Sequence, residues 1–212
     1  MKMKYLALIF IPAILIAMLA FFIRFIQYEP QFPKEDEPQT AQTGLQIPIY
    51  PDDPIIGNKK APITLIAFED FGCDGCKIQS TLFDSLMKKH PDKVKIIWKG
   101  LAATKFPFPT NLAHEYGFCA NRQNKFKEFS QLAFTNSDNL SQIILDTIAK
   151  EIELDEKDVT DCLASGEAKA YMVKNEQLGL ALNIQSVPTF FLNNKQINQP
   201  TILEGWETVL GL

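Results

Sequence analysis

Ile63-Thr64-Leu65-Ile66-Ala67-Phe68-Glu69-Asp70-Phe71-Gly72-Cys73-Asp74-Gly75-Cys76 is the stretch on which the reading of the fold turns. The run from Ile63 to Phe68 is β-branched or apolar and follows Pro62, the pattern of a buried central strand. From Cys73 to about Lys89, Ile78, Leu82 and Leu86 recur at helical spacing, and His90-Pro91 stops the pattern. Val94-Lys95-Ile96-Ile97-Trp98 reads as a second strand. Strand, helix and strand make a βαβ unit, so the two strands are expected to be parallel.

Toward the C-terminus, Gly100 to Ser186 is helical in pattern almost throughout. Leu112, Tyr116, Cys119 and Ala120 share one face. Leu140, Ile143, Ile144, Thr147 and Ile148 share another, behind an expected cap at Ser137 or Asp138. Asp155 caps a short helix carrying Val159, Cys162 and Leu163, which Gly166 ends. A last helix runs from Glu167 to about Leu182. Phe190-Phe191-Leu192 then reads as a strand entering a turn at Asn193-Asn194. The expected class is α/β, a small sheet interrupted by a helical insertion over about 101–182. An insertion this long exceeds what a crossover requires.

Toward the N-terminus the composition changes. Lys2 and Lys4 precede an uncharged run from Tyr5 to Ile23, closed by Arg24. Such a run approaches the roughly 20 residues that span a bilayer. Ala17-Met18-Leu19-Ala20 offers no convincing small-x-small cleavage site. The expectation is an uncleaved signal-anchor over 5–26, with residues 1–4 cytosolic and the remainder outside; a cleaved signal and a buried core helix are the alternatives. Residues 27–54 hold Pro30, Pro33, Pro38, Pro48, Pro51 and Pro54 among polar and acidic neighbours, and read as a linker, with packing of Leu45–Ile56 on the domain as the alternative for that part. The domain is expected at 55–212. Lys2, Lys4 and Arg24 are the only charged residues up to position 24, so the rest of the chain is more acidic than the overall net charge of −4. An acidic body without a basic stripe argues against a nucleic-acid partner.

Cys73 and Cys76 sit where a strand meets a helix. Cys73 there meets the unpaired N–H groups and the positive end of the helix dipole, which favour its thiolate. The thiolate is the attacking species in disulfide exchange. Cys76, one turn in, suits a resolving thiol. A zinc half-site and an inert pair are the alternatives. Structural zinc usually takes four ligands, and Cys119, Cys162, His90 and His114 form no second pair, so no metal is expected. No cofactor is expected either.

Gly57-Asn58-Lys59-Lys60-Ala61-Pro62-Ile63-Thr64-Leu65, followed by Phe68 to Cys76, resembles the opening of DsbA-like thioredoxin-fold oxidoreductases. Val187-Pro188-Thr189-Phe190-Phe191 is similar to their cis-proline strand. Cys119-Ala120 with Lys125-Phe126, and Asp161-Cys162-Leu163-Ala164-Ser165-Gly166, resemble their helical insertion. The resemblance runs from about Ile55 to Leu212. It implies a thioredoxin fold, Cys73 as nucleophile, Cys76 as resolving cysteine and a cis bond before Pro188. It also implies that the backbone of Val187 pairs with substrate. Two positions depart from the pattern. Asp74-Gly75 lacks the histidine or proline common between such cysteines, and a carboxylate beside Cys73 opposes its thiolate. The buried acid that relatives often carry six residues before the first cysteine is Ala67 here. Glu69 would share that strand face and stand in for it.

Cys119 and Cys162 each lie on an apolar helix face. A structural disulfide between them is expected, contributing roughly 4 kcal/mol by loop closure; two buried thiols are the alternative. His90 ends a helix, and His114 reads as a surface or boundary residue. Asp70 and Glu69 read either as proton carriers or as solvated, capping groups. Phe106-Pro107-Phe108-Pro109 reads as a packed loop, with a substrate groove as the alternative.

The expected function is a membrane-tethered oxidoreductase introducing disulfides into reduced secreted or cell-envelope proteins. By resemblance, a membrane partner of the DsbB or VKOR type would reoxidise it. The alternatives are a reductase or isomerase of the same compartment, and a tethered chaperone with a vestigial CxxC.

Overall fold

The computed structural model describes residues 18–22, 24 and 46–212. Positions 18–22 and 24 are helical and exposed. Among the described residues no helix is long and apolar enough to cross a membrane. Apart from those helical positions, the expected cytosolic tip, signal-anchor and linker up to residue 45 lie outside the described residues.

From Gln46 onward the chain forms one compact unit. Residues 46–54 therefore belong to the domain, the alternative to a linker for this part of the chain. Their prolines preclude regular structure but not packing. Ile47 is buried against the Ile66, Phe68, Ile97 and Phe191 cluster, and its amide donates to Asn194 Oδ1 at 2.9 Å.

Strands β1 (Ile55–Gly57), β2 (Ile63–Glu69), β3 (Val94–Gly100), β4 (Thr189–Leu192) and β5 (Lys195–Ile197) form a five-stranded sheet in the order β1-β3-β2-β4-β5. β2 and β3 are parallel, with Leu65 opposite Ile96 and Glu69 opposite Gly100. Helix α1 (Asp74–Lys89) makes the crossover. β4 runs antiparallel to β2 and turns back into β5. Asn193 and Asn194 fill that turn with φ of 52° and 62°, the left-handed pair a two-residue hairpin demands and asparagine tolerates.

Between β3 and β4 come α2 (Asn111–Arg122), α3 (Phe126–Thr135), α4 (Gln142–Glu151), α5 (Glu156–Ala164) and α6 (Glu167–Ala181). Helix α7 (Leu203–Leu210) closes the domain. Leu65, Ala67, Phe83, Leu86, Ile96, Phe190 and Trp206 fill the core on one side of the sheet. The insertion has its own core around Phe71, Tyr116, Phe126 and Phe129. Cys119 and Cys162 are bonded at 2.06 Å, tying α2 to α5.

Two helix readings shift. The buried stripe of α1 is Cys76, Gln79, Phe83, Leu86 and Met87, while Ile78 is 57% exposed. Pattern reading rejects Gln79 as polar. It is buried because it donates to Pro200 O at 2.9 Å and accepts from Trp206 Nε1 at 2.8 Å. Helix α4 starts behind Ser141 rather than Ser137 or Asp138, and its buried face is Leu145, Ile148 and Ala149, which leaves Ile143 exposed.

Both faces of β3 are covered, so Lys99 is fully buried. Its Nζ lies 2.6 Å from Asp53 Oδ2 and 4.2 Å from the Tyr50 ring centroid. Asp53 also accepts from Tyr171 Oη and from the Tyr50 amide, each at 2.7 Å. This network joins segment 46–54, the sheet and α6.

Candidate active site

Cys73 is the N-cap of α1, half-buried in extended backbone, and its sulfur accepts from the Cys76 amide at 3.2 Å. Cys76 is fully buried, and its sulfur accepts from the Asp70 amide at 3.4 Å. Both are free thiols. A hydrogen bond from the Cys76 thiol brings Cys73 down to about 7, aided by the amides of Cys76 and Gly75 and opposed by burial and the Asp70 carboxylate. Burial, the bond to Cys73 and the charge of Glu69 push Cys76 far above the ordinary thiol range. The pair is thus polarised into one accessible, easily ionised sulfur and one buried sulfur that holds its proton. The carboxylate acting against the Cys73 thiolate is Asp70. Asp74, at the first turn of α1, sits where a helix terminus favours an acid.

Ala67 is fully buried and carries no acid to the site. Glu69, two residues along, is 2% exposed, and its Oε1 has no hydrogen-bond partner among the described residues. Burial pushes its carboxyl up to about 8. The folded protein therefore holds a proton here between pH 4.5 and about 8 that the unfolded chain has released. Stability contributed by neutral Glu69 is full below 4.5 and is lost as pH rises toward 8. Glu69→Gln is expected to remove that loss, gaining on the order of 4 kcal/mol over wild type between pH 4.5 and 8. Urea unfolding at the two pH values checks this; an advantage that is the same at both contradicts it.

His114 is not a surface or boundary residue: it is 2% exposed. Its ring packs on Phe71 and Trp98, at centroid distances of 5.0 and 5.4 Å. Gly100 makes the room, since a Cβ there would lie 2.3 Å from His114 Nδ1. His114 Nε2 is 2.9 Å from Asp70 Oδ1, and Asp70 also accepts from the amides of Thr104 at 2.6 Å and Gly72 at 3.3 Å. Burial works to raise the Asp70 carboxyl, but the bonds from His114, Thr110 and Thr104 hold it below the carboxylate range. Asp70 is neither solvated nor a capping group. It knots the cysteine loop to α2 and to the segment after β3. The sequence reading missed this pairing, because it joins residues 44 apart.

The Val187–Pro188 bond is cis, and Cys73 Sγ meets Val187 O at 3.5 Å. A Cβ on Gly75 would lie 3.1 Å from Pro188 Cδ, so the absence of a side chain there lets the proline loop close on the cysteines. Cys73, Cys76, Val187 and Pro188 thus lie together, while Cys119 and Cys162 sit apart in the insertion. His90 caps the other end of α1 and pairs with Glu207 at 2.6 Å. The Phe106–Pro109 loop is not packed: Phe106 is 86% exposed. Among the described residues no cluster of side chains could hold a metal ion.

The family profile described as Thioredoxin matches residues 50–211. The chain is 25% identical over 161 residues to the Na(+)/H(+) antiporter NhaA 3 of Salinispora tropica, covering 76% of this chain and 24% of that protein. It therefore spans about a quarter of the length of such relatives. It is 23% identical over 167 residues to Disulfide bond formation protein D of Bacillus subtilis, covering 71% of this chain and 72% of that one. A solved thioredoxin-like oxidoreductase from Silicibacter pomeroyi shares the fold with a TM-score of 0.67 at 18% identity, over 76% of this chain and 92% of that one. The parallel β2–α1–β3 unit, the antiparallel β4–β5 hairpin and the helices set between them agree with the resemblance read in the sequence. The chain belongs to the thioredoxin family and has the DsbA-like form of its fold, with a helical insertion between β3 and β4.

Proposed function

We propose that the chain is a thiol–disulfide oxidoreductase acting outside the cytosol, tethered by residues 5–26, that introduces disulfides into reduced secreted or cell-envelope proteins. The observation that carries this reading is the polarisation of Cys73 against Cys76. In the oxidised protein a substrate thiolate attacks Cys73, the accessible sulfur. The Cys73–Cys76 bond breaks, and Cys76 leaves as a thiolate that its buried site disfavours. Glu69, neutral below about 8 and felt electrostatically at Cys76, supplies the proton. A second substrate thiolate then attacks the substrate sulfur of the mixed disulfide, and Cys73 leaves as a thiolate held by the start of α1. Two electrons have passed from the substrate dithiol to the cysteine pair. Of the two substrate protons, one replaces that given by Glu69 and the other goes to solvent. A membrane partner of the DsbB or VKOR type restores the disulfide.

The uncharged run from Tyr5 to Ile23 supports the tether, and the name of the Bacillus relative supports the oxidising direction. One observation favours reduction or isomerisation instead. Cys73 ionises only near 7, and oxidising power follows the stability of the reduced form. Equilibration of the Cys73–Cys76 couple with glutathione separates the two. The oxidising role requires a potential near about −120 to −180 mV, and a value near about −270 mV would overturn it in favour of reduction.

A further inference from the structure

Asp70 touches both exchange cysteines through its backbone. Its amide donates to Cys76 Sγ at 3.4 Å, and its carbonyl accepts from the Cys73 amide at 3.2 Å. Its carboxylate is fully buried and meets His114, brought in by α2, at 2.9 Å. An ionised carboxylate can only accept, so His114 Nε2 carries a proton and donates it. The other ring nitrogen, Nδ1, is buried with no hydrogen-bond partner among the described residues. Phe71, Trp98 and the bare Cα of Gly100 hold the ring by packing alone. The one polar contact of this buried histidine therefore goes to Asp70. The other bonds to that carboxylate come from the Thr104 and Gly72 amides, which carry no charge. Cys76 and Glu69, the other titratable groups acting on the pair, keep their protons at neutral pH, so Asp70 brings the negative charge.

We infer that the buried Asp70–His114 pair sets the reduction potential of the Cys73–Cys76 couple, with His114 a positioning residue that acts only through the Asp70 carboxylate. The inference deepens the oxidoreductase reading and rests on it. Asp70 makes the couple more reducing. Its charge disfavours the Cys73 thiolate of the reduced form and has no thiolate to oppose once the two sulfurs are bonded. His114 works against Asp70. Its N–H draws on the carboxylate charge in a site that Phe71 and Trp98 close to water, so Cys73 feels less of that charge. Two residues in contact thus move the potential in opposite directions. A pair that merely strapped the cysteine loop to the insertion would act with one sign, because losing either partner would break the same strap.

The test combines two measurements on the full chain. Equilibration with glutathione reads the potential, and the pH dependence of Cys73 alkylation by iodoacetamide reads the thiolate. Asp70→Asn is expected to raise the acid dissociation constant of Cys73 about tenfold, and to shift the glutathione equilibrium about fivefold toward the reduced protein. His114→Leu keeps an apolar filling and drops the N–H. It is expected to lower the dissociation constant about threefold and to make the couple more reducing. His114→Gln still offers an N–H to Asp70 and should return most of the way to wild type. Asp70→Asn with His114→Leu should match Asp70→Asn alone, since His114 has no other route to Cys73. Shifts of the same sign in the two single variants, no shift in either, or a His114→Gln variant no better than His114→Leu overturns the inference. The side-chain amide of Asp70→Asn faces the Thr104 N–H, so a thermal melt accompanies each variant. Where Asp70→Asn does not fold, the comparison of His114→Leu with His114→Gln decides. A wild type that never equilibrates with glutathione would sink the redox reading, while alkylation would still decide whether the pair governs the Cys73 thiolate.

Discussion

Cys73→Ser is expected to lower disulfide exchange on the order of 10³-fold or more while leaving the fold intact. A serine hydroxyl does not ionise near neutral pH, so the attacking species disappears. Cys76 cannot take over, because it is fully buried and its proton is held far above neutral pH. The fold should survive because the Cys73 side chain acts as the N-cap of α1, and serine is among the best residues for that position. Single-turnover kinetics with dithiothreitol, beside a thermal melt, separates the two effects. A variant that still exchanges at near the wild-type rate would contradict the assignment of Cys73.

The largest expected effect on stability lies away from the cysteines. Asp53→Ala leaves the Lys99 ammonium fully buried with its carboxylate removed, and deprives the Tyr171 hydroxyl and the Tyr50 amide of their acceptor. Breaking a buried ion pair from one side costs about 3–5 kcal/mol. In a domain of this size that is a fall of roughly 10 °C in melting temperature. Burial already works to lower the Lys99 pKa, and without Asp53 nothing opposes it. Pairing Asp53→Ala with Lys99→Met should recover much of the loss, since the stranded charge is gone. Urea unfolding of the single and double variants measures this. A single-variant cost under about 1 kcal/mol would show that the pair does not hold segment 46–54 to the sheet.

Local pattern made much of the fold legible in the sequence. The run from Ile63 to Phe68, the CxxC after it and the apolar strand ending at Trp98 form a contiguous βαβ signal. Asn193-Asn194 announced its hairpin because that turn requires residues that tolerate positive φ. What stayed hidden depends on partners far along the chain. His114 looks like a surface residue until Asp70 and the space above Gly100 are known. Asp53 looks like linker until Lys99 is placed, although a lysine in so apolar a strand was a signal that a buried acid must meet it. Gln79 and Ile78 exchanged their expected places because Pro200 and Trp206 satisfy the amide. At the cysteines, the polarisation of the pair was foreseeable from the helix start. The part played by Asp70, rather than Asp74, in opposing the thiolate was not, since it depends on how the loop before Cys73 folds back.

The division of labour between the two sulfurs is tested most directly by Cys76→Ala, expressed as the full chain in cells that secrete disulfide-bonded proteins. Without Cys76 a mixed disulfide formed at Cys73 has no resolving thiol within the protein. Alkylation followed by mass spectrometry should then find secreted or cell-envelope proteins joined to Cys73, released by dithiothreitol and absent when Cys73→Ser is combined with Cys76→Ala. If the Cys76→Ala variant folds but carries no such adducts, the proposed exchange through Cys73 is contradicted.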